Sequence, residues 1–238
     1  MAEKDLSETN YTCMLDDLIA TSMSKDPNIL ENTFLDDRCQ FLVDQDVIQD
    51  YHLVQYSNDE LKIRVDAWGF RTCIESEKEG TLVLILNDFS SSDSLQTQIL
   101  TDFRLFLNKG KRFFQNCLKE DFRFNFNIDE ESVSSLAHHI YQNQKSILNV
   151  LIVGITNTKI LARKNNLIIT ENSLKDITFN YDTWDFDEIN PCLEAKGTGD
   201  LRRQIHHHHL DQGAIDKGRD QRDLQAGIRA VPQLCAIV

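Results

Sequence analysis

Thr81-Leu82-Val83-Leu84-Ile85-Leu86 is the stretch on which the fold turns. Every side chain from Leu82 to Leu86 is apolar, so neither face can stand in water and the run reads as a central strand covered on both sides. A second run, Leu148-Asn149-Val150-Leu151-Ile152-Val153-Gly154-Ile155, has the same character. Between them the apolar period changes to that of a helix. Ser92 to Lys119 puts Leu95, Ile99, Phe103, Phe106, Leu107, Phe113, Phe114 and Leu118 on one broad stripe, with a break expected at Gly110. Glu130 to Lys145 carries Val133, Leu136, Ala137, Ile140 and Tyr141. Two buried strands joined through helices make a right-handed parallel crossover.

Upstream, Met14 to Ala20 begins a short amphipathic helix, and a longer one starts at Asp26 or Asn28 beside Pro27 and ends near Gln49. Tyr51 to Tyr56 reads as a strand, followed by a turn at Ser57-Asn58-Asp59. Leu61, Ile63, Val65 and Ala67 then alternate with Lys62, Arg64, Asp66 and Trp68, the period of a half-buried strand. Short turns make these first strands antiparallel neighbours. Downstream, Leu167 to Thr170 reads as a short strand and Ile177 to Asn180 as an edge strand leading into Tyr181-Asp182-Thr183-Trp184-Asp185. The result is an α/β fold, a mixed sheet flanked by helices. Its αβββαβ order is also the core order of the restriction-endonuclease-like fold.

The 238 residues suit one globular domain with a full core, or at most two small ones, and 9 Gly with 3 Pro in a 41% hydrophobic chain argue against disorder. A formal net charge of −13 disfavours a free-standing, sequence-blind DNA binder, which needs a basic face. No apolar run approaches the roughly 20 residues that span a bilayer, and the N-terminus has no basic start and apolar stretch, so the chain reads as soluble and cytoplasmic, with no membrane partner. Six widely spaced cysteines without a C-x-x-C read as free thiols of that compartment.

The averages hide a change near residue 196. Residues 1–196 hold all 13 Phe and every Asn, with 19 basic and 33 acidic residues; residues 197–238 hold 6 and 5, with five of the nine Gly. We expect 1–196 to be the α/β domain and 197–238 a poorly structured tail, foreign to the rest or out of frame, with a natural appendage and a purification tag as the other readings. His206 to His209 stand in a row, and consecutive residues cannot all face one tetrahedral metal.

Nucleases with this core order hold a divalent metal through an acid on the second strand and an acid or glutamine near the end of the third, with a lysine two residues later. The carboxylates fix Mg²⁺ against the phosphate, and the cation offsets charge in the transition state. Asp66 has the place of the first acid. At the third strand stand Leu86-Asn87-Asp88-Phe89, with Leu86 in the acid position and Asp88 in that of the lysine, so the site is expected to be degenerate. Asp66, Asp88 and Glu31 on the preceding helix are the candidate metal ligands; Asp66 and Asp88 are the candidate catalytic residues. The plainer reading makes Asp66 a turn cap and Asp88, with Ser90 to Ser92, a helix cap. Lys109, Lys111 and Arg112 form the dense basic patch beside Phe113 and Phe114, a nucleic-acid contact or a solvated helix face. His138-His139 point to different faces, and neither a P-loop nor a dinucleotide fingerprint is present.

Phe34-Leu35, then Ile63-Arg64-Val65-Asp66-Ala67-Trp68-Gly69-Phe70, then Leu82 to Phe89, Asp102-Phe103 and Tyr181-Asp182-Thr183-Trp184-Asp185-Phe186 resemble the N-terminal region of the bacterial abortive infection phage resistance (AIPR) proteins, over roughly residues 15–190. Members of that family are longer, so the resemblance implies an N-terminal fragment whose C-terminal region is a missing partner. It further implies a role in phage defence. The leading expectation is a non-enzymatic domain with a degenerate nuclease-like site that binds or regulates and carries no cofactor; its partner is nucleic acid or a phage or host protein. The rival is a Mg²⁺-dependent DNA or RNA nuclease using Asp66. A third is a protein-interaction module without a nucleic-acid role.

Overall fold

A polar side chain opens the first well-defined boundary. Asp26 accepts a hydrogen bond from the Asn28 N–H at 2.9 Å and Pro27 takes the first helical position, which together start a helix without an orphaned donor. The computed structural model describes residues 2–71, 80–124, 126, 131–161, 170–174 and 177–189. In chain order the elements are α1 (Ala2–Ser22), α2 (Pro27–Asp44), β1 (His52–Asn58), β2 (Ile63–Arg71), β3 (Thr81–Asp88), β4 (Thr97–Ile99), α3 (Leu100–Cys117), α4 (Glu120–Phe124), α5 (Glu131–Gln142), β5 (Asn149–Thr156), β6 (Lys159–Leu161), β7 (Thr170–Leu174) and β8 (Ile177–Trp184).

Six strands form one mixed sheet in the order β1-β2-β3-β5-β8-β7. β1, β2 and β3 run antiparallel to their neighbours, β3, β5 and β8 are parallel, and β7 turns back on β8. Leu82, Leu84 and Leu86 of β3 join Val150 and Ile152 of β5 in a core under α3 and α5. The alternate residues Val83, Ile85, Leu151, Val153 and Ile155 face the opposite core under α1 and α2. Each side chain of this size contributes about 1.5–3 kcal/mol on full burial, so the two central strands anchor both layers at once.

Several boundaries differ from the sequence reading. The first helix is longer, and α2 ends at Asp44 rather than near Gln49 because Asp46 takes a left-handed φ of 58°. The long central helix begins at Leu100, not Ser92. Thr97–Ile99 instead pair in parallel with Lys159–Leu161, a contact between distant segments that overrides the local helical period. Gly110 does not break α3: a Cβ there would lie 2.7 Å from Leu86 Cδ1, so the glycine marks close approach of helix to sheet. β8 is an inner strand rather than an edge, since β7 covers it. Leu167 to Ile169 lie outside the described residues, and Thr170 opens β7.

The expected alternation also fails inside β2. Ile63 and Val65 face the α3 core, as do Trp68 and Phe70, whereas Ala67 faces the α2 core. The strand therefore exchanges faces between Val65 and Trp68. On the neighbouring strand, β1 carries a bulge between Leu53 and Tyr56, with Gln55 at φ 51°.

Beyond the sheet, Asn157 ties distant segments together. Its side chain accepts from the Ser90 N–H at 2.7 Å, donates to the Ser90 carbonyl at 2.7 Å, and donates to the Tyr11 hydroxyl at 3.3 Å. Tyr11 in turn donates to the Ser92 carbonyl at 2.9 Å. The α1 helix is thus fixed to the loops after β3 and β5.

Candidate functional site

The face exchange in β2 sets Arg64 and Asp66 on the α2 side. The β2–β3 pairing runs only as far as Ala67 opposite Ile85. Beyond that point the Asp66 carboxylate accepts the Asn87 N–H at 2.7 Å and so satisfies a main-chain donor past the end of that ladder. Arg64 Nε donates to both Asp66 oxygens, at 2.7 and 3.0 Å, and Arg64 Nη2 donates to Glu31 Oε1 of α2 at 2.8 Å. One guanidinium therefore bridges the two acids. Its Cζ lies 5.7 Å from the centre of the Phe106 ring of α3.

Burial pushes the Asp66 carboxyl up, against the opposing pull of Arg64 and the Asn87 N–H. Burial works the other way on Arg64, but Asp66 and Glu31 more than offset it, and its pKa is raised. Two short contacts join Arg64 to Asp66, and one each ties the pair to Glu31 and to Asn87. Asn87 itself is buried; its Nδ2 reaches the Glu31 carbonyl at 3.4 Å, and its Oδ1 has no hydrogen-bond donor among the described residues.

Around this trio opens a cleft of about 240 Å³, lined by Glu31, Asn32 and Leu35 of α2, Gln55 to Ser57 of β1, and Arg64, Asp66 and Asn87. The bulge in β1 turns Gln55 so that its Nε2 donates to Asn32 Oδ1 at 2.8 Å across the mouth.

Of the expected site residues, the structure brings Glu31 and Asp66 together and leaves Asp88 apart. Asp88 Oδ2 accepts from Gln98 Nε2 at 3.2 Å, and its carbonyl accepts from Thr156 Oγ1 at 2.8 Å, in a polar cluster with Thr158. The reason is strand alternation: Leu86 lies in the α3 core, so the residue facing Asp66 is Asn87. Two residues on, Phe89 packs against Phe34 with ring centres 5.3 Å apart. Sequence reasoning missed Arg64, Asn87 and Gln55. Arg64 reads as a solvated residue in an alternating strand, and Asn87 shares the face of Val83 and Ile85, the one signal that pointed to it.

Elsewhere, His139 packs against Trp68 and Phe70, and His138 Nδ1 lies 2.9 Å from the Ser134 carbonyl. Cys13, Cys39 and Cys117 are free thiols. His206 to His209 lie outside the described residues. Among the described residues no three His, Cys, Asp or Glu side chains come together as a metal-binding group, and no helix is long and apolar enough to cross a membrane. The family model of the abortive infection phage resistance protein N-terminal domain matches residues 34–190. No curated protein and no solved structure matches the chain.

Proposed function

Since the chain belongs to the abortive infection phage resistance N-terminal domain family, and so to a protein of phage defence, we propose that it acts by binding or regulation through a degenerate nuclease-like site. The observation that carries this reading is the Arg64 guanidinium between Glu31 and Asp66. It supplies, from within the chain, the positive charge that a divalent cation would bring to two carboxylates. The Mg²⁺ of a working nuclease does not fit this donor set. Both Asp66 oxygens accept from Arg64, one also from Asn87, and the residues facing them on β3 are Asn87 and Phe89 rather than an acid and a lysine. A restriction-endonuclease-like ancestry for the core is part of the proposal. It is supported by three antiparallel strands followed, after helices, by a parallel fourth.

The reading has two rivals. Glu31 and Asp66 do line the same cleft, as the acids of a metal-dependent DNA or RNA nuclease would. A protein-interaction domain would use other surfaces altogether. We place the domain's work in the cytoplasm, on nucleic acid or on a phage or host protein.

Titration with Mg²⁺ and Mn²⁺ followed by calorimetry, run beside plasmid and RNA cleavage, separates these. The expected result is no metal-binding heat and no cleavage. Metal-dependent cleavage that disappears in Asp66→Asn and in Glu31→Gln overturns the proposal in favour of the nuclease.

A further inference from the structure

We infer that the cleft beside Arg64 seats a nucleobase, read by the amide pair Asn32 and Gln55, with a nucleotide's phosphate turned toward Lys109. This rests on the reading that the site binds rather than cleaves, and it names the chemistry of what is bound.

The hydrogen bond between Gln55 Nε2 and Asn32 Oδ1 uses one donor and one acceptor. Gln55 Oε1 and the Asn32 amide NH₂ remain without a protein partner among the described residues. An acceptor and a donor side by side on exposed amides match the edge of a base, as one Asn or Gln side chain matches adenine. Gln55 is held for this role in a backbone conformation, φ 51°, that residues other than glycine rarely adopt. Strain of that kind collects at ligand clamps. On the cleft wall, Arg64 spends Nε and Nη2 on the two acids and, among the described residues, has no acceptor at Nη1, a further donor for a ring nitrogen or a carbonyl.

Size and charge narrow the ligand. A cleft of about 240 Å³ is smaller than the ~300–1,000 Å³ of sites for drug-sized molecules and suits a small planar group. Glu31 and Asp66 already engage the cleft's one guanidinium, so a phosphate is disfavoured inside. Positive charge lies just beyond. Phe106 is bracketed by Arg64 Cζ at 5.7 Å and by Lys109 Nζ at 5.9 Å from its ring centre. Lys109 belongs to α3, whose Arg104, Lys109, Lys111 and Arg112 stand against Asp102 alone in a chain of net charge −13. A base in the cleft with its phosphate on this helix satisfies both fields.

The test is calorimetry or NMR titration of the intact protein with AMP, GMP, CMP and UMP, their nucleosides, and ribose 5-phosphate. The expected result is saturable binding of at least one nucleotide, with ribose 5-phosphate about tenfold weaker or more. Asn32→Ala and Gln55→Ala, both exposed and so without effect on the melting midpoint, each weaken binding by about tenfold. Lys109→Ala weakens the nucleotide and leaves the nucleoside unchanged. No saturable binding of any nucleotide, binding that survives both amide substitutions, or oligonucleotide binding without mononucleotide binding overturns the inference. Those failures leave the metal and cleavage results standing, whereas Glu31-dependent cleavage removes the binding reading whatever the nucleotides do.

Discussion

Arg64 holds three elements at once: Asp66 of its own strand, Glu31 of α2 and the Phe106 ring of α3. Removing one partner of such a trio strands the rest. Asp66→Ala leaves the half-buried guanidinium short of charge and the Asn87 N–H without an acceptor, and is expected to cost about 2–4 kcal/mol in urea unfolding. The triple substitution Glu31→Gln, Arg64→Met, Asp66→Leu should cost less than Asp66→Ala alone, because an apolar replacement strands no charge. Tyr11 gives a prediction in pH. Burial, with Asp93 and Glu8 nearby, pushes its hydroxyl from 10.0 to about 12. The unfolded chain therefore ionises first, so this contribution to stability is whole below pH 10 and is lost as pH rises through 12. Tyr11→Phe should be less stable by about 1 kcal/mol at pH 8, for want of the bond to Ser92. Between pH 10 and 12 the wild type should lose ~2–3 kcal/mol relative to the variant, so that the order inverts in chemical melts. At this scale Asp66 was legible, since an acid inside an alternating strand is conspicuous. Arg64, Asn87 and Gln55 were not, because their roles arise only when α2 docks and the β1 bulge forms.

The central strands were the legible elements, because burial on both faces leaves nothing but apolar residues from Leu82 to Leu86. Elements fixed by partners far along the chain were hidden. Thr97–Ile99 extends the stripe of a helix, and only pairing with Lys159–Leu161 makes it a strand. β7 reads Thr-Glu-Asn-Ser-Leu, polar enough to pass for a loop, and without it β8 looks like an edge. Packing of α3 on the sheet is tight enough to test. A Cβ at Gly154 of β5 would collide with Leu107 Cδ2 and lie 2.7 Å from Phe103 Cζ. Gly154→Ala should cost about 1–3 kcal/mol by overpacking. Gly80→Ala, whose new Cβ meets nothing nearer than Phe70 Cδ1 at 3.7 Å, should leave the melting midpoint within about 2 °C of wild type, and a comparable loss there would refute the packing account.

Charge and composition divide the whole chain as its chain contacts do, with Met1–Glu194 as one unit and Ala195–Val238 as another. The family match ends at residue 190, on the same side of that division. A chain ending at Glu194 should keep the cooperative melt of the parent, with the midpoint moved by no more than about 2 °C. A broadened transition would mean that the division is not a thermodynamic one. Against a net charge of −14 over residues 1–196, the four cations of α3 are a local exception, so the nucleotide binding inferred above should weaken with salt, and less so in Lys109→Ala.

Finally, the knot of bonds among Tyr11, Ser90, Ser92 and Asn157 bears on how the protein is made. Tyr11 and Asn157 are 146 positions apart. At about 5–20 residues per second a ribosome needs roughly 7–30 s to pass from one to the other. The first helix is thus made well before the residue that fixes Tyr11 in place. Until Leu151, Val153 and Ile155 of β5 are made, the cluster around Met14 and Leu18 is incomplete, a window in which nascent-chain chaperones have something to hold.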